Sequence, residues 1–125
     1  MWKAGLLVAA AALATPASAQ SQAQMTRTAE QDYKSADAAM TREWTATNAY
    51  MKRRDNADRS RGGGFGYAAS LLASQRAWLK YRDSQCVIAG GEFAGGSMQP
   101  MARLGCLAEL SRQRGKQLAS LRWER

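Results

Sequence analysis

Apolar side chains recur along this chain at steps of three and four, the period of an α-helix, in three separate runs. The first run is Met25, Ala29, Tyr33, Ala36, Met40, Trp44, Thr47 and Met51, with no Pro or Gly between them. A seam sustained over so many turns predicts one long amphipathic helix from Gln22 to about Met51. Glu30 and Lys34 form an i,i+4 pair of the favourable orientation on its outer side. The second run, inside a helix predicted from Tyr67 to about Ile88, is Leu72, Gln75, Leu79, Arg82 and Cys86, flanked by Leu71, Trp78 and Gln85. It mixes large apolar groups with an amide, a guanidinium and a thiol. An arginine on a core face is costly unless a carboxylate meets it, so this stretch demands an acid from elsewhere. The third run is Met101, Leu104, Leu107, Ala108, Ser111, Arg114, Leu118 and Leu121.

Between the runs lie two connections. Residues 52–66 carry five positive and two negative charges, then four glycines in five positions. Without apolar periodicity, this stretch reads as a mobile surface loop with one aromatic, Phe65, at its tip. Its glycines follow no strand and lack the Gly-Lys-Ser/Thr ending of a phosphate loop. Residues 89–97 contain four glycines around Glu92 and Phe93 and read as a turn. Ser97 is a candidate N-cap for the third helix, and Pro100 fits a first turn. Gly105 beside Cys106 suggests close approach to the second helix. The expected architecture is all-α: an antiparallel three-helix bundle, or an array of helical hairpins.

Residues 1–19 read as a cleaved leader. Lys3 supplies a positive start, Ala4 to Ala14 is an apolar run too short to span a bilayer, and Ala17-Ser18-Ala19 is an A-x-A site. Residues 20–125 then form a single small helical domain. No Arg-Arg pair marks the twin-arginine route, and no cysteine beside the cleavage site marks a lipoprotein. The protein is therefore expected in the periplasm or secreted, with no transmembrane segment in the mature chain. In that compartment the two cysteines, Cys86 and Cys106, should form a disulfide.

Charge and chemistry narrow the function further. Eighteen Lys and Arg against ten Asp and Glu give +8, or +7 without Lys3. Such a balance favours anionic partners. There is no histidine, which removes the usual general base and the commonest metal ligand. No serine sits in a nucleophile-elbow motif, and neither Glu92 nor Glu109 has a partner acid in view. The residues thus point to a non-enzymatic binding protein with no cofactor and no metal. Nucleic acid ranks low as a partner, since no recognition motif is present.

Gln75-Arg76-Ala77-Trp78, then Tyr81-Arg82-Asp83 and Cys86, resemble the signature of the LprI-type lysozyme-inhibitor N-terminal domain, a small secreted all-α bacterial family. Gly95-Gly96-Ser97-Met98, Cys106-Leu107-Ala108-Glu109-Leu110 and Arg114 resemble its second motif, and Ala36-Asp37 with Met40 and Trp44 its first helix. The resemblance implies a structural ion pair between Asp37 and either Arg76 or Arg82. Many members also carry a cysteine in a Met-Asn-x-Cys-Ala motif, where this chain has Met25-Thr26-Arg27-Thr28-Ala29. The resemblance further implies binding to a lysozyme-like muramidase. A glycosidase cleft holds two carboxylates, which an inserted cation could neutralise. The loop supplies Arg53, Arg54, Arg59, Arg61 and Phe65 as candidate partner-binding residues. The competing reading is a basic envelope-associated module that uses the same charge on anionic lipid, lipopolysaccharide or peptidoglycan, with binding that salt weakens.

Overall fold

The computed structural model describes residues 17–60, 62 and 64–123. Its elements are α1 (Ala17–Ala57), α2 (Tyr67–Gly91) and α3 (Gln99–Ser120), and among the described residues there is no strand. The chain runs up, down and up. Asp37 meets Arg82 and Asp55 meets Tyr67, so α1 and α2 are antiparallel. Asp32 meets Arg112 and Thr47 meets Leu118, so α3 returns parallel to α1, and these two share the most extensive packing. One disulfide, Cys86–Cys106, ties α2 to α3 with a Cα–Cα distance of 5.4 Å.

The predicted seams meet in the interior. Ala36, Met40 and Met51 of α1, Leu71 and Cys86 of α2, and Leu107, Ala108 and Leu118 of α3 are buried. Each large aliphatic side chain fully removed from water contributes about 1.5–3 kcal/mol. The small side chains on α3 let the two parallel helices approach closely. A Cβ built on Gly115 would lie 3.7 Å from the Met40 Cα. Thr47, wholly buried, donates its hydroxyl to the Leu118 carbonyl at 2.8 Å and so satisfies its polar atom.

Four details differ from the sequence-based expectations. First, α1 continues through Ala57, so residues 52–57 are helical rather than loop. No Gly or Pro lies between Met51 and Ala57, and Lys52, Arg53 and Arg54 near the C-terminus complement the negative end of the dipole. Second, the buried stripe of α2 runs through Leu71, Gln75, Arg82, Cys86 and Gly90, while Leu72 is 38% exposed. The disulfide and the close contact of Gly90 with α3 set this rotation: a Cβ at Gly90 would meet Arg103 Cβ and the Gln99 carbonyl, each at 3.3 Å. Third, Gly105 is exposed with open space around it, so close approach falls to Gly90 and Gly115 instead. Fourth, the residue preceding α3 is Met98, with no side-chain cap, and Pro100 occupies the first turn. The Gln99 amide bonds back to the Gly96 carbonyl, so the turn itself supplies the cap. Most of the expected leader, residues 1–16, lies outside the described residues, and α1 begins at Ala17.

Candidate functional site

The corner where α1 passes into α2 gathers most of the loop's candidate residues. Its frame is built by two aspartates. Asp55, in the last turn of α1, accepts the Tyr67 amide at 2.7 Å and the Ala68 amide at 2.9 Å. It therefore caps α2 from the preceding helix, a place where Gly66, with φ at 85°, has no side chain to do so. Asp58 accepts the Ser60 amide at 2.8 Å, the Ser60 hydroxyl at 2.6 Å and the Phe65 amide at 2.9 Å. The Ser60 hydroxyl, then the Ser60 and Phe65 amides, hold the Asp58 carboxyl below its ordinary pKa.

The candidate cations of the corner are treated differently from one another. Arg53 is exposed. Arg59 is exposed and donates Nη1 to the Asn56 carbonyl at 2.7 Å. Arg61 lies outside the described residues. Arg54 is half-buried and turns toward the aromatic side chains of the corner. Its guanidinium carbon sits 5.1 Å from the centroid of Tyr67, 5.3 Å from Trp123 and 5.9 Å from Tyr50. The Tyr67 and Tyr50 side chains favour the charged form and raise its pKa. Tyr50 in turn donates its hydroxyl to the Trp123 carbonyl at 2.8 Å, fastening the end of the third helix to the first. Arg54 is thus a clasp between the three helices. Phe65, 56% exposed, stacks at 4.6 Å on Tyr67 and presents the outer aromatic face. A cavity of about 410 Å³ lies between Arg54, Asp58, Ser60, Phe65 and Tyr67.

The interior holds the other candidate residues. Arg82 donates Nη1 to Asp37 at 2.9 Å and Nε to Asp83 at 3.0 Å, and it also reaches the Ser111 hydroxyl. Burial works against its charge, but Asp83, Tyr33 and Asp37 more than offset this and raise its pKa. Arg76 is exposed and lines, with Asp37 and Arg82, an open groove of about 430 Å³ between α1 and α2. Arg114, buried with no carboxylate beside it among the described residues, donates to Gln75 at 2.9 Å and to Ser74 at 2.9 Å, and burial lowers its pKa. The Trp78 ring lies against both guanidinium groups, 5.2 Å from Arg82 and 5.7 Å from Arg114. This layer is polar yet satisfied, so it fixes the register of α2 between its neighbours. Among the described residues, no group of three His, Cys, Asp or Glu is placed to hold a metal ion.

The stretch carrying this arginine layer and the disulfide lies within a wider match. Residues 13–118 match the family described as Lysozyme inhibitor LprI, which is most of the chain. The chain belongs to the LprI family. An uncharacterized protein of Rhizobium meliloti (strain 1021) is 41% identical over 104 residues, covering 82% of this chain and 75% of the relative. No solved structure matches this LprI chain significantly. Within the LprI fold described here, Asp55, Asp58, Tyr50 and Trp123 are structural members of the corner that sequence reading missed. Only the Tyr50–Arg54 spacing of four carried a signal.

Proposed function

We propose that this protein is an exported, non-enzymatic inhibitor of lysozyme-type muramidases that binds its target through the α1–α2 corner. The match to a family described as lysozyme inhibitors, over residues 13–118, carries this reading. The corner supports it with the features of a protein-binding hot spot. Phe65 is an exposed aromatic backed by Tyr67 on a frame held by two aspartates, and Arg53 and Arg59, within a few residues of those aspartates in sequence, are exposed cations. The cations would face the carboxylates of the glycosidase cleft. An exported chain of net charge +7, without Lys3, is repelled at long range by a basic lysozyme, so the preferred target is an acidic muramidase. Cleavage of the leader after Ala19 would deliver the domain to the periplasm or the medium.

The test is inhibition of one acidic and one basic muramidase by the purified, disulfide-bonded protein, at low and physiological salt. The proposal expects tighter inhibition of the acidic enzyme and a loss of about tenfold or more for Phe65→Ala, the size of a hot-spot truncation. No inhibition of either enzyme overturns it.

A further inference from the structure

Helix α2 is covered on one side only, and its uncovered side is apolar in an unusual place. Tyr81 is 54% exposed, Val87 60% and Ile88 70%, and Phe93 follows in the adjoining turn with its ring partly exposed. Tyr81 and Ile88 are seven residues apart and share one row of the helix, while Val87 lies about 100° around it, in a row with Lys80 and Arg76. Between these rows the outward positions are Ala73, Ala77 and Ser84, all exposed and none charged. A surface helix ordinarily carries charged and polar side chains here.

The charge beside this arc is cationic. Arg76 and Lys80 are exposed and enter none of the ion pairs of the described residues. Of the nearby acids, Asp37, which shares the α1–α2 groove with Arg76, and Asp83 are both held by Arg82, and Glu92 stands in the turn. A second copy of the chain would set these unpaired cations, and a net charge of +8, against themselves. The arc is one convex helix face with four exposed apolar side chains, whereas a stable protein pair buries roughly 600 Å² or more on each partner. A bilayer surface demands neither complementarity of shape nor that area. It takes aliphatic side chains below the headgroups and cations at the phosphates. None of the helices described is long and apolar enough to cross a membrane, so the contact lies on the surface.

We propose that the outer face of α2, from Arg76 to the Phe93 turn, docks the protein on an anionic phospholipid surface. Val87, Ile88 and Phe93 enter the interface while Arg76 and Lys80 meet the lipid phosphates. This contact is separate from the α1–α2 corner, so it holds or fails independently of the inhibitor reading.

The experiment is co-sedimentation of the purified, disulfide-bonded protein with phosphatidylcholine vesicles containing either no phosphatidylglycerol or about 30 mol%, since an anionic surface attracts exposed Lys and Arg. Binding is expected only to the anionic vesicles, with a marked loss when salt is raised to several hundred millimolar. Val87→Ser combined with Ile88→Ser should lower the partition coefficient about tenfold or more, and Arg76→Gln with Lys80→Gln should remove the lipid selectivity. All four side chains are exposed, so the variants should keep wild-type circular dichroism and wild-type muramidase inhibition. Phe65→Ala serves as the control that leaves vesicle binding unchanged. Equal partition of the Val87/Ile88 variant and the wild type overturns the proposal. So does equal binding to neutral vesicles, or a dimer in solution that this variant abolishes.

Discussion

Removing the disulfide is the perturbation whose size follows most directly from this fold. Cys86 and Cys106 are 20 residues apart in sequence, and the loop they close contains the end of α2, the glycine-rich turn and the start of α3. In the chain-entropy description, opening a loop of that length frees the unfolded chain by about 3 kcal/mol. The folded state loses little else. Cys86→Ala with Cys106→Ala also removes two sulfur atoms, one from a fully buried residue, which leaves a small packing defect between α2 and α3. For a domain of this size, each kcal/mol moves the melting temperature by roughly 4–8 °C, so the double variant should melt on the order of 15 °C lower. Differential scanning calorimetry of the wild type and the double alanine variant, under non-reducing conditions, measures this. A shift below about 3 °C would show instead that helix packing alone holds α2 against α3.

Three further outcomes follow from particular contacts. Gly115→Ala should raise stability by roughly 0.5–1 kcal/mol, because its new methyl meets Met40 Cα at an ordinary 3.7 Å and helix propensity improves, whereas Gly90→Ala, facing two contacts at 3.3 Å, should lose about 1 kcal/mol; denaturant unfolding that ranked the two in reverse order would contradict the packing described. Trp78→Ala should cost about 2–3 kcal/mol, below the full value for a buried Trp because the ring is only half-buried, and near-wild-type melting would sink the orientation of α2. The Asp58 carboxyl has a folded pKa below its unfolded value, so its bonds to Ser60 and Phe65 support the corner above about pH 4 and are lost as pH falls through the folded pKa; an NMR titration of the Phe65 amide should show a midpoint below the ordinary Asp value of about 3.9, absent in Asp58→Asn, and a midpoint above it would contradict the geometry.

The three seams were legible because helical burial repeats every three or four residues, and the buried positions Met40, Met51, Leu107 and Leu118 sit on the predicted rows. The rotation of α2 was not. Leu71 and Leu72 are equally apolar neighbours, and only the disulfide and the Gly90 contact choose between them. The extent of α1 was missed because the charges at 52–54 read as loop composition, although the same cations suit the end of a helix. The corner was legible only in part. Phe65 and the arginines stood out, but the clasp on Arg54 joins Tyr50 to Trp123 across a sequence separation of 73 residues. Such a pairing is set by the parallel return of α3, which local pattern does not encode. Asp55 reads as an ordinary surface acid until α2 is placed opposite it, where it becomes that helix's cap.

The most direct test of the inhibitor account is amide hydrogen exchange of the protein alone and with an equimolar acidic muramidase, both at physiological salt. Slowed exchange is expected only at the corner, residues 53–67, with the outer face of α2 between Arg76 and Phe93 unchanged. Protection on α2 with none at the corner, or an identical exchange pattern with and without the enzyme, would contradict it.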